Sequence, residues 1–538
     1  MPRFALVRGG AAPGLVLGAV LGVLALGPGL RRGFLLSYDM VFVPRMPLSA
    51  ALPGLAPPRA VPSDLVVAVA SRVLPGDVVQ KAVLLAIFVL ACGGMVALLD
   101  REPLLARLAA GTFYAWNPYV GERLIIGQWT LLLGYAGLPW VLRALLRNDR
   151  PPWRWAGWLC VALLPAVASG FESMVITGLV LVPVVLLIRD VRKTVIALAA
   201  LVAGCLPWLV PSLLHSVYVD PASVAAFAAR ADTPFGSFGS LVMLGGSWNS
   251  RTVPKAYGGA WSAIWLIIVL AALAGYLASV RWKRGQSAGR WPGLGVAAVL
   301  GLVIACAGIT APGRDLLRWL IGESPGAAVF RDGQQFVAPL ALAEACGCGV
   351  AVAWAMHPGA FWAKAAGHER SASEHAAGAM IGIFAVLAPV VLLPGLVWGA
   401  AGRLRPAQYP AGWLAAATTI NQSPAGGAVL LLPWATYRTP AWNHGETVLD
   451  PWTLLLSRQV IWNDGTQVGN VALAPDDPAA RRLNGVINGG GSLTSALLAA
   501  GVRFVVDDAD GAGPAAGSRL PGATLLVSQP GLMVYRLP

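Results

Sequence analysis

Long apolar runs separated by short polar connections occupy most of the chain. A helix that crosses a bilayer needs ~20 mainly apolar residues, and eleven runs are candidates for such helices. They lie at 12–30, 80–99, 103–118, 127–146, 154–169, 172–189, 194–215, 260–280, 292–310, 335–356 and 377–399. The run at 103–118 is short and contains Arg107, so it is the weakest of them. The pattern predicts a mainly helical, polytopic membrane protein with about eleven spans.

The pattern changes after residue 400, where Asn, Asp, Gly and Thr become more frequent and apolar runs become shorter. Three stretches predict a buried strand in "GAVLLLPW" (427–434), a helix, glycine turn and strand in "SLTSALLAAGVRFVVDD" (492–508), and a hairpin in "ATLLVSQPGLMVYRL" (523–537). This segment is long enough for a core of its own. We therefore expect a membrane domain at 1–400 and a small α/β domain at 401–538.

Composition supports a membrane protein and argues against other classes. The chain has 57% hydrophobic and only 12% charged residues, against about 25% charged in soluble domains, and its mean hydropathy is +0.67. The net charge of +14 comes from arginines spread through the connections, without the basic face and aromatic platforms of a nucleic-acid-binding domain. All six cysteines lie in apolar runs, where such residues pack as small hydrophobic side chains. We expect the lipid bilayer as a partner, and no nucleic acid.

Basic residues alternate between connections as the positive-inside rule requires. Arg3 and Arg8 precede the first run, and every second connection after it is basic. These connections contain Arg101; Arg143, Arg147, Arg150 and Arg154; Arg189, Arg192 and Lys193; Arg281, Lys283, Arg284 and Arg290; and Lys364 and Arg370. The alternation predicts a cytoplasmic N-terminus in a multi-pass protein of the cell membrane. An odd number of spans then places the C-terminal domain outside the cytoplasm.

The first outward connection, 31–79, contains a carboxylate just past the first span. In "SYDMVFVPR" (37–45), Asp39 begins a mainly apolar stretch that ends at Arg45. A carboxylate at the membrane–water boundary can act as a general base, or it can simply cap or solvate the end of the span. Apolar residues spaced along 65–73 then predict an amphipathic helix that lies in the membrane interface.

A second polar group lies in "FYAWNPYVGERLIIGQWTLLLGYAGLPW" (113–140), where tyrosines and tryptophans predict an aromatic belt at the outer interface. Within the belt lie Asn117, Glu122, Arg123 and Gln128. So many hydrogen-bonding groups at a membrane interface favour a cavity, although a polar hairpin anchored by tryptophan would show the same pattern. Because Glu122 and Arg123 are adjacent, we expect them to pair with other partners. Glu172, in "SGFES", is an acid of the next outward connection.

Two further stretches combine polar and aromatic residues. In "GAAVFRDGQQFVAPLALAE" (326–344), Arg331 and Asp332 precede a span and Glu344 lies inside it. An intramembrane carboxylate indicates a functional site by default, but a hydrogen bond to another helix is an equal alternative here. In the C-terminal domain, "TYRTPAWNHGE" (436–446) either recognises a sugar by stacking and hydrogen bonding or forms an ordinary surface loop.

An acid in the first outward loop, an interfacial helix after it, about eleven spans and an external C-terminal domain form a layout that resembles the superfamily-C (GT-C) glycosyltransferases. "NPYVGERLIIGQW" (117–129) and "VFRDGQQF" (329–336) are similar to actinobacterial membrane proteins in or near this superfamily, and to a bacterial family linked to glycosylation of teichoic acids. The resemblance covers most of the chain in layout. Members often have a paired acid in the first loop, whereas Asp39 stands between Tyr38 and Met40. This departure leaves a requirement for a divalent cation open.

The resemblance implies an inverting enzyme that takes a sugar from a polyprenyl-phosphate donor and transfers it to a cell-envelope glycan or glycolipid. Asp39 matches the position of the family's base, so it would take the proton from the acceptor hydroxyl. Chemistry and location, and not family motifs, select the candidate substrate-binding residues: Arg45, Arg123 and Arg331 for the phosphate, Glu122 and Glu172 for the sugar, and Asn117, Gln128 and Asp332. The alternative is a non-catalytic membrane protein. Such a protein would be a lipid-sugar transporter or a scaffold in cell-envelope assembly. Transporters are often built from internal repeats, and no such repeat is evident in the sequence.

Overall fold

The structure, a computed structural model, describes residues 10–52, 60–147, 151–214, 218–282, 290–357, 371–508 and 516–538. Helices make up most of the first 400 residues. In chain order they are α1 (Ala12–Leu26), α2 (Leu48–Ala51), α3 (Ser63–Ala70), α4 (Gly76–Leu98), α5 (Leu104–Ala115), α6 (Pro118–Ile126), α7 (Trp129–Leu146), α8 (Pro152–Ser169), α9 (Phe171–Ile188), α10 (Val191–Leu214), α11 (Ser223–Ala226), α12 (Gly236–Val242), α13 (Trp261–Trp282), α14 (Arg290–Ala307), α15 (Ala311–Glu323), α16 (Ala338–Met356) and α17 (Ala372–Leu392). The prediction of a mainly helical protein is confirmed.

Eight helices within the described ranges are long and apolar enough to cross a membrane, and the bent pair α14–α15 brings the number to nine. A helix lies at each of the eleven predicted spans, but α5 has only 12 residues and the first half of α8 carries Arg154 and three tryptophans. Both helices nevertheless begin at the end of the bundle where α7 finishes. Asp100, just before α5, lies 3.7 Å from Arg147, and Trp155 of α8 donates a hydrogen bond to the carbonyl of Ala144 (2.9 Å). The chain is therefore a multi-pass membrane protein, and the cytoplasmic side of its N-terminus stays a prediction.

Helix α16 lies at the centre of the bundle, buried over nearly its whole length, whereas α10 exposes most of its side chains. Small residues explain the position of α16, because they allow helix backbones to approach closely. A Cβ atom on Gly347 would clash with the carbonyl of Ala272 in α13. Cys346 and Cys348 are free thiols buried in the same helix, so the CxC pair packs in the core as expected.

The C-terminal residues form a mixed sheet flanked by helices. Its helices are α18 (Ala411–Gln422), α19 (Trp452–Leu455), α20 (Pro478–Asn488) and α21 (Thr494–Ala499). The strands among the described residues are β1 (Phe34–Leu35), β2 (Pro406–Ala407), β3 (Ala428–Leu432), β4 (Tyr437–Arg438), β5 (Val448–Leu449), β6 (Val460–Ile461), β7 (Gln467–Val468), β8 (Val471–Ala472), β9 (Val502–Asp507), β10 (Thr524–Gln529) and β11 (Leu532–Arg536). The five-stranded sheet has the order β10-β11-β9-β3-β6, with β3 parallel to β6 and β9 and the other pairs antiparallel. The predicted strands and hairpin are confirmed.

Strand β3 is buried on both faces, which explains its continuous apolar sequence. Leu430 faces a core shared with α20 and α21, while Val429 and Leu431 belong to the main core, which extends into the membrane helices. The C-terminal region is thus packed against the membrane bundle. Because β1 also pairs with β2, hydrogen bonds cross the predicted domain boundary, and that boundary stays a prediction.

The connections predicted to face outward meet at one end of the bundle. The predicted amphipathic helix is present there as α3, with Val66 and Val69 exposed and Val67 and Ala68 buried. Its backbone lies close to the start of α9, because a Cβ on Gly170 would contact the carbonyl of Val61 (2.7 Å). Contact between α3 and the membrane surface stays a prediction. This end of the molecule contains the candidate site.

Candidate active site

Asn117 fixes the hairpin between α5 and α7. Its fully buried side chain caps α6, because Oδ1 accepts a hydrogen bond from the backbone N–H of Val120 (3.0 Å). Its Nδ2 donates to two carbonyls of the last turn of α5 (3.0 and 2.9 Å) and to the hydroxyl of Tyr135 (3.1 Å). Asn117 therefore orients α6, and its predicted contact with substrate stays a prediction.

Glu122 and Arg123, on the second turn of α6, are both buried and pair with each other. Nη1 of Arg123 lies 3.2 Å from Oε2 of Glu122, and the guanidinium lies 4.7 Å from the ring centre of Tyr119. The expectation that these two residues pair only with other partners is therefore wrong. Every residue of α6 is buried, so both side chains enter the same interior and lie within reach of each other.

The carboxyl of Glu122 also faces that of Asp232, in the connection between α11 and α12. Asp232 accepts hydrogen bonds from the backbone N–H groups of Gly246 and Ser247 (3.0 Å to Ser247). Burial and the neighbouring Asp232 raise the pKa of Glu122 well above its usual range. Burial raises the pKa of Asp232 as well, although its hydrogen bonds oppose this. Burial therefore favours the neutral form of both acids.

Asp332 is the centre of a second group. Its carboxylate accepts hydrogen bonds from the side-chain amides of Gln334, Gln335 (2.5 Å) and Gln128. The hydroxyl of Tyr119 donates to the carbonyl of Gln335 (3.0 Å), which ties α6 to this turn. Burial raises the pKa of Asp332, and the nearby arginines and amide donors lower it in part. The amides thus hold a carboxylate in an environment that would otherwise favour its neutral form.

Glu172, at the start of α9, joins these groups to the first outward loop. Its carboxylate interacts electrostatically with Asp332, Asp39, Arg331 and Arg123. The guanidinium of Arg331 lies 4.9 Å from the ring centre of Phe227. Gln128, Glu172, Arg331 and Asp332 are half-buried, whereas Glu122 and Arg123 are buried. The cluster therefore has a closed interior at α6 and an accessible side near Asp39.

Asp39 lies in a tight turn that fits against the end of α6. Its backbone N–H donates to the carbonyl of Ile126 (3.0 Å), and the hydroxyl of Ser37 donates to a neighbouring carbonyl of α6 (2.6 Å). Gly127 ends α6 with a φ of +87°, and a Cβ atom there would clash with the backbone of Met40. The side chain of Asp39 is exposed, so α6 fixes the backbone of the turn and leaves the carboxylate accessible.

The C-terminal region holds the other side of this turn. The hydroxyl of Tyr437, in β4, donates a hydrogen bond to Oδ1 of Asp39 (2.7 Å). Tyr38 donates its N–H to the carbonyl of Thr447 (2.6 Å), and its own carbonyl accepts from the N–H of Leu449 (2.8 Å). The rings of Tyr38 and Tyr437 meet edge to face at 5.9 Å. Three parts of the chain therefore meet at Asp39: the first loop, α6 and the β4–β5 hairpin.

Several buried polar atoms of the cluster have no hydrogen-bond partner among the described residues. They are Nε and Nη2 of Arg123 and the Oε1 atoms of Glu122, Gln334 and Gln335. Buried polar atoms are nearly always hydrogen-bonded in folded proteins, so this group has donors and acceptors to offer a polar ligand. Guanidinium donors match phosphate oxygens, and amide oxygens accept from hydroxyl groups.

Two residues that the sequence singled out, Arg45 and Glu344, form none of the hydrogen bonds or ion pairs described above. Arg45 is exposed and forms no hydrogen bond or ion pair with the described residues, so its role stays a prediction. Glu344 is fully buried in α16, and neither carboxyl oxygen has a hydrogen-bond partner within the described ranges. The described residues contain no group of three or more His, Cys, Asp or Glu side chains arranged to hold a metal ion.

The structure adds two residues that the sequence did not select for the site, Asp232 and Tyr437. Asp232 is one of several acids in outward connections, and no local pattern distinguishes it. Tyr437 belongs to the aromatic stretch 436–446, for which the sequence left a sugar site and an ordinary surface loop as alternatives. A contact between that stretch and the first loop was not foreseen.

Comparison with known proteins identifies the fold. No family model and no curated protein sequence matches the chain. Among solved structures, the arabinofuranosyltransferase AftD from mycobacteria superposes with a TM-score of 0.60 at 17% identity, over 98% of this chain and 40% of that chain. An oligosaccharyltransferase from Archaeoglobus fulgidus gives 0.47 at 12% identity, over 93% of this chain and 69% of that chain. ArnT from Cupriavidus metallidurans gives 0.45 at 13% identity, over 98% of each chain.

The AftD superposition covers nearly the whole chain with a score well above 0.5. The chain has the GT-C fold. The other two scores lie below 0.5, so the assignment of the GT-C fold rests on AftD. The chain spans about 40% of the length of the AftD chain, and at such low identity the likeness concerns the fold and not the activity.

Proposed function

We propose that the protein is a membrane glycosyltransferase that moves a sugar from a polyprenyl-phosphate donor to a cell-envelope glycan or glycolipid on the outer face of the membrane. The observation that carries this proposal is that Glu172 interacts electrostatically with Asp39 on one side and with Arg123 and Arg331 on the other. An accessible carboxylate and two guanidinium groups at one end of a GT-C bundle are the groups that such a transfer needs.

Asp39 is the general base of the proposed reaction. Its carboxylate takes the proton of an acceptor hydroxyl while the hydroxyl oxygen attacks the anomeric carbon of the donor sugar. The bond between that carbon and the phosphate oxygen breaks, and the polyprenyl phosphate leaves as an anion. A single displacement of this kind inverts the configuration at the anomeric carbon. The leaving phosphate needs no general acid, but it needs positive charge close by.

Arg123 and Arg331 provide that charge. Arg123 is buried, and two of its nitrogen atoms have no partner in the described residues. Its third nitrogen is fixed by Glu122 and its plane lies against Tyr119, so the guanidinium is held in one orientation before the donor binds. Because Arg331 is half-buried, it lies on the accessible side of the cluster, where the lipid phosphate would enter.

The sugar would occupy the space between the two arginines and Asp39. Glu172 and Asp332 accept hydrogen bonds from hydroxyl groups, and Gln128, Gln334 and Gln335 either donate or accept them. AftD is an arabinofuranosyltransferase, so a polyprenyl-phosphate arabinofuranose is the first donor to test, with other pentoses and hexoses beside it.

Transfer from defined donors tests the proposal. Membranes from cells that overproduce the protein are incubated with labelled polyprenyl-phosphate sugars and an envelope glycan acceptor, and membranes without the protein serve as the control. We expect labelled glycan only with the protein and with at least one donor, and an inverted anomeric configuration in the product by NMR. If the protein moved the lipid-linked sugar across the membrane of vesicles without forming a glycosidic bond, it would be a transporter and the proposal would be wrong. A protein that neither transferred nor moved any donor would fit a scaffold.

A further inference from the structure

A tyrosine of the C-terminal region touches the carboxylate at the centre of the proposed reaction. The hydroxyl of Tyr437 lies 2.7 Å from Oδ1 of Asp39 and donates to it. We propose that Tyr437 is a positioning residue that fixes the carboxylate of Asp39 for proton abstraction. This inference rests on the proposed function, since it assigns Tyr437 a role only if Asp39 is the base.

The β4–β5 hairpin holds Tyr437 rigidly. In β4, Tyr437 pairs with Leu449 and Arg438 pairs with Val448. Because successive side chains of a strand point to opposite faces, Arg438 points away from Tyr437 and into the C-terminal region. There it forms buried ion pairs with Asp450 (3.3 Å) and Asp508 (3.1 Å). One residue of the strand is therefore an internal anchor, and its neighbour reaches the active-site turn.

The turn itself is held on both sides, so the hydroxyl and the carboxylate meet in a fixed geometry. The backbone of Tyr38 exchanges hydrogen bonds with Thr447 and Leu449 of the hairpin, and the backbone of Asp39 bonds to Ile126 of α6. With its backbone fixed, Asp39 keeps rotational freedom only in its side chain. A hydrogen bond from Tyr437 to Oδ1 restricts that freedom, while the side chain of Asp39 stays exposed.

Orientation of a base has a large effect on rate. Effective catalysis requires the reacting atoms to lie ~3–3.5 Å apart with correct alignment, and a displacement of about 1 Å can cost 10²-fold in rate. Since the hydroxyl of Tyr437 donates to Asp39, the proposed base, its loss should slow the chemical step. Binding of the donor should remain unchanged.

Tyr409 offers a matched control. Its hydroxyl also joins the C-terminal region to the first loop, by donating to the carbonyl of Phe42 (2.9 Å). Its ring packs against Phe34 at 5.4 Å. The variant Tyr409→Phe therefore removes an equivalent hydrogen bond between the same two parts of the chain but leaves Asp39 untouched.

The experiment measures kcat and KM for the donor with the full-length wild-type protein, Tyr437→Phe, Tyr409→Phe and Asp39→Asn in lipid nanodiscs. Activity is normalised to the folded fraction of each preparation, so that a loss of yield does not count as a loss of catalysis. We expect Tyr437→Phe to lower kcat by about 10–100-fold with KM within about twofold of wild type. Tyr409→Phe should keep kcat within about threefold, and Asp39→Asn should be inactive.

The outcomes separate the two proposals. If Asp39→Asn is inactive but Tyr437→Phe behaves like Tyr409→Phe, Tyr437 has no positioning role and the proposed function stands. A rise in KM without a fall in kcat for Tyr437→Phe would also overturn the inference, because the tyrosine would then bind substrate. Full activity of Asp39→Asn would overturn the general base and the inference together.

Discussion

Removing the charge of Arg438 tests how the C-terminal region supports the candidate site. Its side chain is 7% exposed, and the carboxylates of Asp450 and Asp508 that pair with it are 1% and 2% exposed. The variant Arg438→Met keeps the length of the side chain but leaves two buried carboxylates without their cation. We expect it to loosen the β4–β5 hairpin and, with it, the contact of Tyr437 with Asp39.

The expected magnitude follows from the burial of these groups. Breaking a buried ion pair by removing one partner costs about 3–5 kcal/mol, whereas an exposed pair contributes ~0–1 kcal/mol. Arg318 and Asp315 form such an exposed pair, with side chains 41% and 73% exposed. The variant Arg318→Met is therefore the control. A loss of about 3–5 kcal/mol corresponds to a roughly 10²–10⁴-fold rise in local opening.

Amide hydrogen exchange in the full-length protein measures this opening. We expect faster exchange in β3, β4, β5 and β9 of Arg438→Met, because local opening exposes amides in proportion to its equilibrium constant. Exchange in the membrane helices should stay at the wild-type rate. Equal exchange in Arg438→Met and Arg318→Met would refute the reasoning.

The pH dependence gives a second check on Arg438→Met. Burial raises the pKa of Asp450, and Arg438 partly opposes this rise, so the loss of Arg438 should raise that pKa further. A carboxyl whose pKa is higher in the folded state than in the unfolded state favours folding more strongly as the pH falls. Arg438→Met should therefore recover part of its stability as the pH is lowered from 8 to 5. At pH 8, the double variant Arg438→Met/Asp450→Asn should be more stable than the single variant Arg438→Met. A deficit that grew as the pH fell would contradict this.

Three further variants test the site itself. Gly127→Ala should reduce sugar transfer at least tenfold at an unchanged protein level, because the added Cβ clashes with the Asp39 turn. Gly157→Ala is the control and should transfer normally, because its Cβ would meet nothing within 4 Å. Arg123→Gln should weaken binding of polyprenyl phosphate by about 10–100-fold in a titration, which corresponds to the loss of one charged hydrogen bond. Arg251 is exposed and serves as the control. Equal weakening by Arg251→Gln would contradict a specific phosphate site. Glu122→Gln should keep the melting temperature within ~2 °C of wild type, because burial favours the neutral form of Glu122, which the amide mimics. A loss as large as that of Glu122→Ala would contradict this.

Local patterns along the sequence predicted most of the elements. Apolar runs located a helix at each of the eleven expected spans, and the continuous apolar stretch at 428–432 located the central strand of the C-terminal sheet. Such runs work because a helix in a bilayer and a strand buried on both faces each need unbroken apolar sequence. The short, buried α5 shows the limit, since residues that pack inside a bundle need not be as apolar as those that face lipid.

The contacts of the candidate site depend on packing between distant segments, and the sequence predicted them only in part. Glu122 and Arg123 were expected to pair elsewhere, and only the complete burial of α6 explains their mutual pair. Asp232 meets Glu122 through a connection with no regular pattern of its own. Tyr437 was recognised as part of an aromatic stretch, but its contact with Asp39 depends on how the C-terminal region docks on the first loop.

Replacement of Asp39 tests the central claim most directly. A strain that lacks the protein is complemented with wild type, Asp39→Asn or Asp64→Asn, which removes another carboxylate of the same outward loop. Protein levels in the membrane are matched, and the linkages of the envelope glycans are compared. We predict that wild type and Asp64→Asn restore the missing linkage and that Asp39→Asn does not. Full restoration by Asp39→Asn would contradict a general base at this position.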